Sequence, residues 1–287
     1  MKKLLTLSLA AATLAASAFG LSACSGADTL VVYTEAGFAP FEYTDNGAIV
    51  GVDVDIMNRV GEKLGKEVVF ENVAFDTIVD AVSQGKLANV GAAGISVTPE
   101  REEKVDFSIP YYTASLYVIY KTDGTMAPEV SESTAENGSV IYWDSLAGMN
   151  IGVQNGTTAD LFLGDEIAEG GTIYGTGAAK TGYSSLSMAV SDIGLTTNVV
   201  IIDELPAKAL VENNEGVSCL PLYYKGETAE EDSAAVDEYA IAVTKGETEI
   251  LNAINEVLGE LIADVDADGN NGIDRLVMSH LDLATSD

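Results

Sequence analysis

Apolar positions along this chain follow two rhythms that take turns. The run TLVVYT (29–34) is β-branched and predicts a strand. In DVDIMNRVGEKLGK (53–66) the residues Ile56, Val60 and Leu64 fall four apart, which predicts an amphipathic helix ending near Gly65. KEVVFE (66–71) reads as a strand and FDTIVDAVSQGK (75–86) as a helix closed by Gly85, after which LANVGAAG leads into GISVTPER (94–101). This βαβαβ alternation predicts an α/β fold with a largely parallel sheet. SLYVIY (115–120) continues it as a further strand.

The pattern then breaks. KTDGTMAPEVSESTAENGS (121–139) is polar, carries Pro and Gly and has no apolar period, so it predicts an exposed loop between units. A second alternating unit follows: MNIGV (149–153) as strand, TADLFLGDE (158–166) as helix, a helix around YSSLSMAVSDI (183–193), NVVII (198–202) as strand and a helix over 204–213. Two similar units predict two lobes. EYAIAV (238–243) reads as one strand, ETEILNAINEVLGELIAD (247–264) as a long helix with Ile250, Ile254, Leu258 and Leu261 on one face, and 272–282 as a last helix.

The N-terminus changes the picture of where the chain works. Two lysines, an uncharged apolar stretch and small residues precede Cys24, a pattern that predicts a removed export signal over 1–23. Leu21-Ser22-Ala23-Cys24 resembles the lipobox of bacterial lipoproteins, so Cys24 is expected to carry lipid, with 24–28 as a short tether. A plain secretory signal with an incidental cysteine is the alternative. Attached acyl chains would hold the body on the outer face of a membrane. The other cysteine, Cys219, has no partner for a disulfide and reads as a small buried residue. A net charge of −31, with no clustered cations, excludes nucleic acid as a partner and fits solubility outside the cell.

Against that charge, one of only three arginines stands at a helix start. In GISVTPER, Thr98 is a good N-cap, Pro99 suits the first turn, and the free N–H groups there favour an anion. Arg101 adds a planar fork that matches a carboxylate, and Gly94 lets the backbone approach a ligand. Pairing of Arg101 with Glu100, Glu102 or Glu103 on a solvated face is the alternative. VQNGTTAD (153–160) repeats the arrangement: a strand end, Gly156, then Thr157 and Thr158 in capping range. In IIDELP (201–206) Asp203 follows an apolar strand, where it suits an ammonium; capping of the next helix is the other role, and the two need not exclude each other. One anion site, one cation site and two lobes suggest a zwitterion held in a cleft.

The segments LVVYTEAGFAPFEYTDNGAIVGVDVDIMNRVGEKLG, VAFDTIVDAVSQGK and AGISVTPEREEKVDFSIPYY resemble the family 3 extracellular solute-binding proteins, the amino-acid receptors of ABC importers. The resemblance implies a type II periplasmic-binding-protein fold, two α/β lobes joined by two hinge strands. It places lobe 1 at 28–117 plus 241–287 and lobe 2 at 118–240. By the same resemblance Arg101 binds the ligand carboxylate with the N–H groups of Ser96 and Thr158, beside Thr157. Asp203, the Gly94 carbonyl and the Ser96 hydroxyl hold the ammonium. Phe38 and Phe75 match aromatic positions around the side chain, and Glu35 and Gln154 positions near its far end. Glu35 stands where many relatives have Asp or Asn.

The implied partners are an amino-acid ligand, polar or basic, and an ABC permease with its ATPase; a monomer without cofactor, metal or catalysis is expected. A dehydratase on the same fold and a sensor acting through a separate signalling protein are the alternatives. DVDADGNNGIDR (264–275) imitates a calcium loop, but Arg275 stands where the bidentate Glu is needed. His280, the only histidine, has no Cys or His cluster beside it for zinc.

Overall fold

The computed structural model describes residues 29–124, 126–133, 138–228 and 230–285. The expected export signal, Cys24 and tether lie outside the described residues. The first sheet is built on β1 (Thr29–Thr34), β2 (Glu67–Asn72) and β3 (Val90–Gly91), all parallel, with β1 in the middle. Two short strands, Ala242–Val243 and Asp106–Phe107, extend it antiparallel beyond β3. Alternation along β1 sends Leu30 and Val32 to one face and Tyr33 to the other. The first pair meets Ile56, Met57 and Val60 of α1 (Val52–Leu64) and apolar residues near the C-terminus. Tyr33 meets Ile78 and Val82 of α2 (Phe75–Gln84). Each such side chain taken fully from water contributes about 1.5–3 kcal/mol.

Helix ends follow the sequence signals. Gly65 ends α1 in the left-handed region at φ 66, with its N–H donating to carbonyls of the last turn. The short α3 (Pro99–Glu102) is capped by Thr98, whose hydroxyl accepts from the Arg101 N–H at 3.2 Å.

The second sheet centres on β4 (Tyr112–Lys121), which pairs antiparallel with two neighbours. On one side stand β5 (Asn150–Gln154), β6 (Ala179–Tyr183) and β7 (Val199–Asp203), mutually parallel in the order β6, β5, β7. On the other stands β8 (Val217–Tyr224), followed by Gly138–Tyr142 and Ser131–Ser133. In β4, Leu116 and Val118 face a core shared with Ile151, Val153 and Leu163, the last from α4 (Thr158–Ile167). Tyr117 and Ile119 face the opposite core with Leu186 and Val190 of α5 (Leu186–Ser191) and Ala207 of α6 (Glu204–Glu212). The strand β9 (Val236–Tyr239) returns along the first half of β4, pairing Asp237 with Ala114 and Tyr239 with Tyr112. Together β4 and β9 form the two hinge strands of a two-lobed α/β fold. Two helices, α7 (Thr248–Ala263) and α8 (Gly272–Ala284), close the first lobe.

Four local readings are corrected. The stretch 121–139 is not loop throughout, because Ser131–Ser133 and the start of Gly138–Tyr142 pair as an antiparallel ladder. EYAIAV is two strands rather than one, since Ala240 leaves the ladder and its N–H donates instead to the Ile95 carbonyl. The helix predicted over 183–193 shortens to α5, because Tyr183 belongs to β6 and Ser185 caps the turn. Cys219 is only partly buried on β8, with its thiol pushed up to about 11 by burial. No described helix is long and apolar enough to cross a membrane. No cluster of metal-ligating side chains occurs among the described residues, and in 264–275 Arg275 donates to the Asp264 and Asn270 carbonyls.

Candidate ligand-binding site

Both sheets aim the carboxyl ends of their parallel strands at one cleft. From the first lobe, the chain after β3 turns at Gly94, whose φ of 52 lies in the left-handed region. A Cβ there would stand 2.8 Å from Phe38 Cε1, so the position is closed to a side chain on both conformational and steric grounds. The Gly94 N–H donates to Asp53 Oδ2 at 3.0 Å, and the Tyr111 hydroxyl donates to Asp53 Oδ1 at 2.5 Å. Asp53 is buried, and burial pushes its carboxyl up to about 6 against the pull of these two bonds. Sequence reasoning assigned Asp53 no role; the structure makes it the support of the Gly94 turn.

Arg101 leaves α3 toward the other lobe rather than toward its glutamate neighbours. It is 7% exposed, donates from Nη1 to the Ser96 carbonyl at 2.6 Å and from Nη2 to the Gly156 carbonyl at 2.7 Å. Its guanidinium lies 5.6 Å from the centre of the Phe75 ring. Burial lowers its pKa, while Asp237, Glu100 and Asp203 oppose that shift. An arginine remains charged under such opposing influences. The solvated-face alternative is thereby excluded.

From the second lobe, β5 ends at Gln154, and Gly156 at φ 76 bends the chain into α4. A Cβ on Gly156 would lie 2.9 Å from Asp76 Cβ of α2, so the lobes meet here at backbone distance. Thr157 caps α4 by accepting from the Asp160 N–H, and Thr158 occupies the first helical position. At the end of β7, Asp203 occupies the N-cap position of α6, but its side chain makes no cap bond there. It is buried, and its Oδ1 has no hydrogen-bond partner. Burial, then the charge of Asp237, pushes its carboxyl well up; the Tyr239 hydroxyl and Arg101 counter them. That hydroxyl lies beside Asp203 but outside hydrogen-bond geometry.

Eight of the sequence-predicted residues line one small cavity: Phe38, Phe75, Gly94, Ser96, Gln154, Thr157, Thr158 and Asp203. It holds about 10 Å³, space on the order of one water, so a larger guest requires the lobes to part. Arg101 lies across Phe75 from it, in a groove shared with Gly156 and Asp76. Glu35 flanks the site from the β1 end; burial raises its carboxyl, with the Gln154 amide opposing from outside hydrogen-bond geometry. Besides Asp53, a second site residue had no role assigned from the sequence. Asp237 on β9 accepts hydrogen bonds from Ser96 Oγ at 2.7 Å and from Thr158 Oγ1. Its signal was the two-residue period, which puts Asp237 on the same strand face as the buried Tyr239.

The model of the bacterial extracellular solute-binding proteins, family 3, matches residues 30–268. The chain belongs to this family. Among relatives of this solute-binding protein, the putative ABC transporter arginine-binding protein 2 of Escherichia coli (strain K12) is 35% identical over 170 residues, covering 59% of this chain and 60% of its own. The amino-acid ABC transporter substrate-binding protein AbpA of Streptococcus pneumoniae, solved bound to L-arginine, aligns with a TM-score of 0.72 at 26% identity. That alignment covers 91% of this chain and 97% of the other. An ancestral arginine-binding protein bound to arginine aligns at 0.70 with 28% identity, covering 88% and 97%. The solute-binding protein spans 60%, 49% and 62% of the lengths of three curated relatives it matches.

Proposed function

We propose that this solute-binding protein is the receptor of an ABC importer for a basic amino acid, arginine being the first choice. The observation that carries the reading is the pairing, across one cleft, of Arg101 with a buried Asp203 oxygen that lacks a partner. A zwitterion answers both groups. Arg101 has five N–H donors and spends two on carbonyls, leaving three for the ligand carboxylate, with the N–H groups at the start of α4 beside it. Asp203, the Gly94 carbonyl and the Ser96 hydroxyl take the ammonium. Phe38 and Phe75 face the side chain, and Glu35 beyond them suits a cationic end by charge.

Arginine is named in the two solved neighbours above and in the Escherichia coli relative, which supports a basic ligand here. Because the first lobe supplies Arg101 and the second supplies Asp203, the zwitterion stabilises the closed state alone, the condition for ligand-driven closure. Delivery then requires a permease and ATPase, with the receptor held outside the membrane as a lipid-anchored monomer through Cys24. Calorimetric titration with the twenty common amino acids tests the reading. The expected result is binding of arginine, lysine or histidine; a response to leucine, isoleucine or valine alone overturns it.

A further inference from the structure

Asp237 belongs to the returning hinge strand rather than to either wall of the cleft. Its Oδ2 accepts from Ser96 Oγ of the first lobe at 2.7 Å and from Thr158 Oγ1 of the second, and its Oδ1 has no partner. The two hydroxyls stand 3.4 Å apart, and both Ser96 and Thr158 line the cavity with Asp203. A hydroxyl has one proton and two lone pairs, and an ionised carboxylate only accepts. Both hydroxyl protons are therefore directed onto Asp237. Toward the cavity each hydroxyl presents lone pairs only, which accept from an ammonium and repel a carboxylate. Burial raises the Asp237 carboxyl, and the Thr158 and Ser96 hydroxyls with Arg101 oppose that rise.

We infer that Asp237 is the positioning residue that builds the ammonium seat: it orients the Ser96 and Thr158 hydroxyls as acceptors beside Asp203 and thereby sets selectivity for ligands carrying an α-ammonium. The seat is complete only when the lobes are together, because Ser96 and Thr158 come from opposite lobes. The inference rests on the amino-acid reading above and adds a residue to it. It also separates the two ends of the ligand. With the hydroxyls committed as acceptors, the ligand carboxylate is left to Arg101 and backbone N–H groups.

The test compares L-arginine with 5-guanidinopentanoic acid, which keeps the chain and carboxylate but lacks the ammonium, by calorimetric titration of the wild type, Asp237→Asn and Thr158→Val. In the wild type arginine binds far more tightly than its desamino counterpart. In Asp237→Asn the ratio of the two affinities falls about tenfold, the coupling expected of groups in contact. Thr158→Val, which removes one hydroxyl and keeps the backbone N–H, lowers the same ratio and stands in if Asp237→Asn does not fold. A merely structural Asp237 would weaken both ligands equally; an unchanged ratio in the folded variants overturns the inference while the binding reading stands. Where lysine or histidine binds in place of arginine, the same ratio is read against that ligand's desamino counterpart; failure of the wild type to bind any of the three removes both.

Discussion

The guanidinium of Arg101 in the first lobe donates to the Gly156 carbonyl in the second at 2.7 Å, so the side chain assigned to the ligand carboxylate also ties the lobes together. Charge and closure thus meet in one residue. Arg101→Lys keeps the charge but loses the fork, and Arg101→Ala loses both. The second should weaken ligand binding by about 2–5 kcal/mol, on the order of 30-fold to several thousand-fold. Calorimetric titration reads the affinity. X-ray scattering of the ligand-free protein should show a larger radius for Arg101→Ala than for the wild type, and an equal radius would deny Arg101 its part in closure.

Asp203 should trade stability for function. Its buried Oδ1 lacks a partner, and its carboxyl is pushed well up by burial. Asp203→Asn removes the charge, so the ligand-free protein is expected to gain about 1 kcal/mol while affinity for an amino acid falls at least tenfold. Melting curves with and without arginine measure both at once. A loss of stability in the ligand-free variant would mean that the carboxylate has a structural partner.

Acidity should act through Asp53. Its ordinary value is 3.8 and burial takes it to about 6, so between those values the folded protein holds a proton that the unfolded chain has released. Stability contributed by this group therefore falls as pH rises through that window and is level above it. The span is about 3 kcal/mol. Subtracting the pH profile of the melting temperature of Asp53→Asn from that of the wild type isolates the contribution of this carboxyl. A flat difference between pH 4 and 6 contradicts it.

Gly94→Ala should be poorly tolerated. The left-handed backbone costs a side chain about 1–2 kcal/mol, and the new methyl would press on Phe38, 2.8 Å away. Urea denaturation should show that loss together with weaker ligand binding, since Phe38 lines the cavity. A substitution with unchanged midpoint would mean that the turn rearranges freely.

Cys24→Ser should release the protein from the membrane fraction into the soluble fraction without altering arginine affinity. Cell fractionation with a labelled fatty acid reads the anchor; label persisting on the variant would place the lipid elsewhere.

The sequence by itself determined what is local. Ile56, Val60 and Leu64 repeat with the helical period and Gly65 ends it, so α1 was legible to within a residue or two. Thr98 and Pro99 announced α3, and Thr157 announced α4, because a cap is a bond between residues three apart. With the resemblance to a known family, those starts led to Arg101, Ser96, Thr158 and Asp203. β8 went unread: its period is interrupted by Cys219 and Pro221, and it is a strand because β4 and Gly138–Tyr142 lie on either side of it.

Only the tertiary structure decided which way polar groups point and with whom. Whether Arg101 met its glutamate neighbours or Gly156, and whether the Asp203 side chain bonded to its own helix or faced the cleft, depended on a lobe distant in sequence. Asp237 lies 141 residues from Ser96 and 79 from Thr158, and the three meet because β9 returns along β4. A hydrogen bond across such a span leaves no period in the chain. Apolar burial follows the repeat of each element and is written locally, whereas a buried carboxylate is given its partners by the packing of elements that share no neighbourhood in sequence.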